Sequence, residues 1–218
     1  AIVGQLASRD FADWISTIRE ILQQPPSPLN LKNGQWTVNR RLEMWRTLGQ
    51  RLFDDHLDRF NECVIDVLTE RDPQFELPPD ERYAASIHGK VLKYSNILRN
   101  GLAESLALLG SHPKALNHCS LNKPEATAVV AVRKILCGAD WILWGSIDNL
   151  LPMLAEAAPG EFLNAVEDAL QQTPCPFDKL FSQEGRGITG RNYMTGLLWA
   201  LETLAWDEIY ISRVTVIL

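Results

Sequence analysis

Acidic side chains are the residues of this chain best suited to chemistry. Asp54 and Asp58 stand four apart in Asp54-Asp55-His56-Leu57-Asp58, a spacing that puts two carboxylates on one face of a helix, where they can share a divalent cation. The same acids open a helical pattern, where the N-terminal dipole favours negative charge without any ligand. Glu156 and Glu202 are each a single acid inside an apolar helical run, residues 150–159 and 196–206. Partial burial would raise their pKa values and make them an acid/base pair. The competing reading pairs each with a structural arginine (Arg82, Arg99 or Arg213) or leaves it on an exposed rim.

Other signatures of catalysis fail on context. Residues 185–190 spell a literal GxGxxG, but a dinucleotide site needs that pattern between a buried strand and a helix. The preceding residues, Lys179 to Glu184, are no buried strand, so the run reads as an interhelical loop. No GxxxxGK[ST], GxSxG or HExxH occurs. His56, His88, His112 and His118 form no zinc spacing, although His112, His118 and Cys119 share one loop and could take up a metal adventitiously. The Asp54 run is similar to the DDxxD motif of all-α terpene synthases, whose carboxylates hold a diphosphate through magnesium. The second, NDxxSxxxE motif is missing and the chain is short for that family. No metal and no cofactor is expected in this segment.

Two non-catalytic surfaces remain as candidates. Seven tryptophans are many for 218 residues. Trp199 and Trp206 are seven apart and share a helix face, Trp141 and Trp144 are three apart, and Trp36 sits near a turn. Core packing is their first reading, and any exposed subset marks an interaction surface. Arg40, Arg41, Arg46 and Arg51 are the best basic patch. The net charge of −6 repels phosphate backbones on average, so a nucleic-acid partner is not expected. Cys63, Cys119, Cys137 and Cys175 give no disulfide framework, which suits a reducing compartment. No apolar run approaches the ~20 residues needed to span a bilayer, and no secretory signal opens the chain. A cytoplasmic protein without a membrane partner is the expectation.

The elements that must position these residues are helical. Apolar residues at three- and four-residue spacing predict a first helix over 8–23, then helices over about 39–52, capped by Asn39, and 54–71. The longest predicted helix runs from a cap at Asp80 through Tyr83, Ile87, Val91 and Tyr94 to Leu109, about eight turns, with Gly89 and Gly101 as points of bending or breakage. A capping box at Asn122 and Glu125 opens the next helix, and Gly138 stops it. Asp140 caps a stretch that Pro152 divides or kinks, and Pro159 starts another helix. A short turn at 177–181, a helix over 193–206 and a last one capped by Asp207 complete about nine or ten helices. Leu29 to Val38, with Asn33-Gly34 between Leu31 and Trp36, is either a type I′ hairpin or an irregular loop.

The fold class is therefore all-α, either an antiparallel helical-hairpin array (a degenerate α-solenoid) or an irregular helical bundle. It spans 1–218 as one region, with a division into 1–110 and 111–218 as the alternative. The apolar ends, Ala1-Ile2-Val3 and Val214 to Leu218, suggest boundaries within a longer chain. "LLPMLAEAAPGEFLNAVEDAL", "TGLLWALETLAW" and the earlier "ERYAASIHGKVLKYSNILRNGLAESLALL" resemble the helical region of large bacterial proteins, mostly uncharacterised, that carry an upstream STAND-like P-loop NTPase module. That resemblance contains no catalytic motif. It implies a non-catalytic scaffold or sensor, with roles in defence against phage, whose partners are other domains of the same chain or another protein.

Overall fold

Each apolar stripe of the sequence needs another stripe to cover it, and the helices arrange themselves around that requirement. The computed structural model describes residues 2–23, 27, 29–183 and 192–218. Among them are twelve α-helices and one two-stranded sheet. The first elements are α1 (Ile2–Ala7), α2 (Phe11–Gln23), strands β1 (Leu29–Lys32) and β2 (Gln35–Val38), α3 (Arg41–Leu48) and α4 (Asp54–Leu68). Then come α5 (Asn96–Ser111), α6 (Lys123–Leu136), α7 (Trp141–Ser146), α8 (Leu151–Ala157) and α9 (Pro159–Leu170). The chain closes with α10 (Pro176–Phe181), α11 (Thr195–Ala205) and α12 (Ile211–Ile217). The strands pair antiparallel with Lys32 opposite Gln35. Asn33 and Gly34 both have positive φ (50° and 77°), as a type I′ turn requires, so the hairpin reading of 29–38 holds.

Packing crosses sequence order. α5 lies against α6 and α8, α4 against α6, α8 against α9 and α11, and α12 against α9 and α11. These contacts close around one common core, and the helices form an irregular all-α bundle. One buried apolar cluster runs from Leu57 through Leu106, Ile135 and Leu154 to Val214, on both sides of residue 110. Glycines let backbones meet, most closely at two positions. A methyl on Gly110 would overlap the Ala157 carbonyl where α5 meets α8, and one on Gly196 would overlap the Asp148 carbonyl.

Three polar contacts fix helix ends, two of them buried. Asp148, buried in the 3₁₀ turn Asp148–Leu150, accepts the Gly196 amide at 2.7 Å and so caps α11 from another element. Arg99 of α5 is 2% exposed, and its guanidinium donates to the Val67 carbonyl (3.1 Å) and the Ser146 carbonyl (3.0 Å). These carbonyls belong to the last turn of α4 and the last residue of α7, where helices leave acceptors unpaired. Asp140 accepts the Leu143 amide at 3.0 Å, which is the expected cap of α7.

Several sequence expectations are corrected. The long helix from Glu81 does not form. Residues 82–84 make a 3₁₀ turn, Gly89 takes a φ of +68°, and α5 starts only after Ser95, whose hydroxyl accepts the Leu98 amide. Glu70 supplies a reason, because its carboxylate accepts the Lys93 and Tyr94 amides and so withdraws them from any helix ladder. Tyr83, Ile87 and Val91, expected within that helix, are exposed. Arg40, in a left-handed conformation, precedes α3 instead of Asn39. Asn122 is left-handed too and makes no side-chain cap. Asp207 accepts the Ile209 amide within a turn, and α12 begins four residues later. α1 and a separate α7 and α8 raise the helix number above the nine or ten expected.

Candidate interaction surface

The carboxylates of the Asp54 run are committed to the loop that faces them. Asp54 accepts from the Ser120 amide at 2.8 Å and from the Ser120 hydroxyl. Those bonds hold its carboxyl below the ordinary aspartate range. Asp58 pairs with Lys123, and Asp55 pairs with Arg59 at 2.9 Å. The acids thus tie the first turns of α4 to residues 120–123. His118 stacks on Phe53 with ring centroids 5.5 Å apart, and the Cys119 thiol donates to the Leu52 carbonyl. No group of three or more His, Cys, Asp or Glu side chains among the described residues is arranged to hold a metal.

Glu156 and Glu202 do not form a buried acid/base pair, because both are exposed. α8 buries Leu151, Leu154, Ala155 and Ala157, and residue 156 falls outside that stripe. α11 buries Leu197, Ala200, Leu201 and Leu204, which turns residue 202 outward. The arginines considered for them serve elsewhere: Arg99 contacts Glu70, Arg213 makes a two-pronged pair with Glu167 at 2.8 Å, and Arg82 donates to the Leu77 carbonyl and Gln183. The GxGxxG run at 185–190 lies outside the described residues.

The tryptophans divide into two groups. Trp144 is 1% exposed and meets Phe177 (centroids 5.0 Å) and Phe162 edge to face. Trp141 is half-buried, with Phe75 at 5.4 Å on its edge and the Lys179 ammonium 4.9 Å above its ring. Trp144 is a core residue and Trp141 packs against the core, so neither is an exposed anchor. The Trp36 side chain lies outside the described residues. Trp199 and Trp206 are 63% and 85% exposed. They lie on the outer side of α11 and at its end, beside exposed Leu198, Ile209, Ile211 and Val216. α11 and α12 pack on each other, and these exposed side chains belong to that helix pair and the turn between them. The sequence reading found the tryptophans but missed Leu198, Ile209 and Ile211, although the unbroken apolar character of 196–201 was visible.

The basic patch is partly neutralised. Arg40 pairs with Glu43 at 3.2 Å and Arg41 pairs with Glu104, while Arg46 and Arg51 are exposed. No helix among the described residues is long and apolar enough to cross a membrane. No family model matches the chain, and neither a curated protein nor a solved structure matches it.

Proposed function

We propose that this chain is a non-catalytic helical scaffold or sensor segment that engages another protein, or another part of a longer chain, through the α11–α12 surface. The observation that supports it is the exposure of Trp199 and Trp206 together with Leu198, Ile209, Ile211 and Val216. Tryptophan is among the residues enriched at interface hot spots. Exposed large apolar side chains concentrated in one short stretch, residues 198–216, suit a surface that meets a partner. The resemblance of 150–206 to the helical region of STAND-like bacterial proteins supports a multidomain setting, with any nucleotide chemistry and any role against phage carried by other domains.

Photo-crosslinking in the source cell tests this reading. A benzophenone amino acid replaces Trp199 or Trp206 in one set of variants and the exposed Asn149 in a control. The expected result is one defined adduct, to a single protein or to a remote segment of the same chain, from the first two positions only. Equal, diffuse labelling from all three positions would overturn it.

A further inference from the structure

A cavity of about 260 Å³ opens between α1, α3, α4 and α5. Its walls are mainly hydrocarbon, from Leu6, Leu57, Phe60 and Leu102 with the Trp45 ring. His56 and Ser105 also line it, and neither the Asp54–Ser120 tie nor the α11–α12 surface forms any part of it.

The hydrogen bonds already made fix what each polar group can still offer. Trp45 Nε1–H donates to the His112 carbonyl at 3.1 Å and has nothing left to give. Ser105 Oγ–H donates to the Gly101 carbonyl at 2.8 Å, which leaves the serine oxygen as an acceptor. His56 Nδ1 accepts the Phe53 amide at 3.2 Å, so the neutral ring carries its proton on Nε2 and keeps one donor. Asp55 Oδ1 lies 3.3 Å from the same Nδ1, but the amide hydrogen already occupies that lone pair.

His56 and Ser105 stand at the solvent-accessible rim, the His56 side chain 38% exposed, so the apolar interior offers water no polar partner while the mouth offers one donor and one acceptor. They serve a hydroxyl well, since it both donates and accepts. An apolar cavity of ~150 Å³ stays dry and takes benzene. This one is larger and open on one side, which suits a two-ring body. We propose that the cavity binds a compact aromatic alcohol, its rings against Leu57, Phe60 and Leu102 and its single hydroxyl exchanging hydrogen bonds with His56 and Ser105. This site is independent of the docking role proposed for α11–α12.

The test is a titration of the full chain, carbon-13 labelled at leucine methyls, with 2-naphthol and, separately, with naphthalene. Saturable shifts of the Leu57 and Leu102 methyls are expected with both. Binding of 2-naphthol should be about thirtyfold tighter, the worth of two neutral hydrogen bonds. Ser105→Ala with His56→Phe should remove that advantage while naphthalene binding persists. Ser105→Trp should fill the space and abolish both; if that variant fails to fold, the Ser105→Ala comparison still decides. Absence of saturable methyl shifts up to the solubility of 2-naphthol overturns the site. An advantage for 2-naphthol that survives the double substitution overturns the assignment of His56 and Ser105.

Discussion

Replacing Arg99 by methionine separates a structural cap from a dispensable buried charge. A buried ion pair exchanged for well-packed hydrocarbon is often neutral or even stabilising, so the charge alone forecasts little. Burial lowers the Arg99 pKa, and Glu70, 3.5 Å away and partly buried, opposes that effect. What methionine cannot replace are the donors to the Val67 and Ser146 carbonyls. Those acceptors are backbone and remain whatever side chain stands at 99. Each costs ~1–3 kcal/mol if left unsatisfied away from water. The expected loss is about 3–5 kcal/mol, the range for removing one member of a buried pair. At a urea slope of roughly 2 kcal/mol/M the unfolding midpoint falls by about 1.5–2.5 M. Arg99→Lys keeps the charge but loses the fork that reaches two carbonyls on different helices, so it should lose about 1–3 kcal/mol. Urea denaturation followed by far-UV circular dichroism measures both. A loss under ~1 kcal/mol for Arg99→Met would refute the capping argument.

Glycine substitutions test the close approaches of the bundle. Gly110→Ala and Gly196→Ala should each cost roughly 3 kcal/mol, the upper end for overpacking, because the added methyl meets backbone. Gly101→Ala, in α5 with open space around it, should stabilise by about 0.5–1 kcal/mol; equal thermal melting of all three would contradict the geometry. Two exposed-rim pairs contribute to acid stability. Arg133 holds the Glu161 carboxyl, and Arg213 the Glu167 carboxyl, below the ordinary glutamate range. A depressed folded-state pKa contributes stability above the unfolded carboxylate range and loses it as the pH falls through the lower folded value. Solvent screening limits each pair to under ~1 kcal/mol. Denaturation between pH 6 and 3 should therefore show a shallower acid decline for the Glu161→Gln, Glu167→Gln double variant, and an unchanged slope would dismiss the pairs.

Helix positions were legible where a single residue carries the local physics. Gly138 has a φ of +66° just after α6, Asp140 caps α7, and Pro152 and Pro159 sit in the first turns of α8 and α9. The reading failed where a distant group decides. Periodicity over 81–109 counts side chains of the segment itself and carries no sign of Glu70, which takes the Lys93 and Tyr94 amides from another element. Arg99 was noted only as a counter-ion for glutamates, because the carbonyls it caps belong to helices that meet it only in three dimensions.

The candidate surface shows the same limit more sharply. Trp141 and Trp144 share a helix just as Trp199 and Trp206 share the run ending α11, and local spacing does not distinguish the pairs. The difference is the presence of Phe75, Phe162 and Phe177 against the first pair. Glu156 was decidable from the sequence, since 151, 154 and 155 at three- and four-residue spacing already define a buried stripe of α8 and place residue 156 beside it. α11 is different in kind. Leu197, Ala200, Leu201 and Leu204 meet the bundle, yet Leu198 and Trp199 on the opposite side are apolar as well. A helix apolar on both sides belongs, by its composition, to an interior. This bundle covers one side of it, and the uncovered side is the physical ground for expecting a partner there.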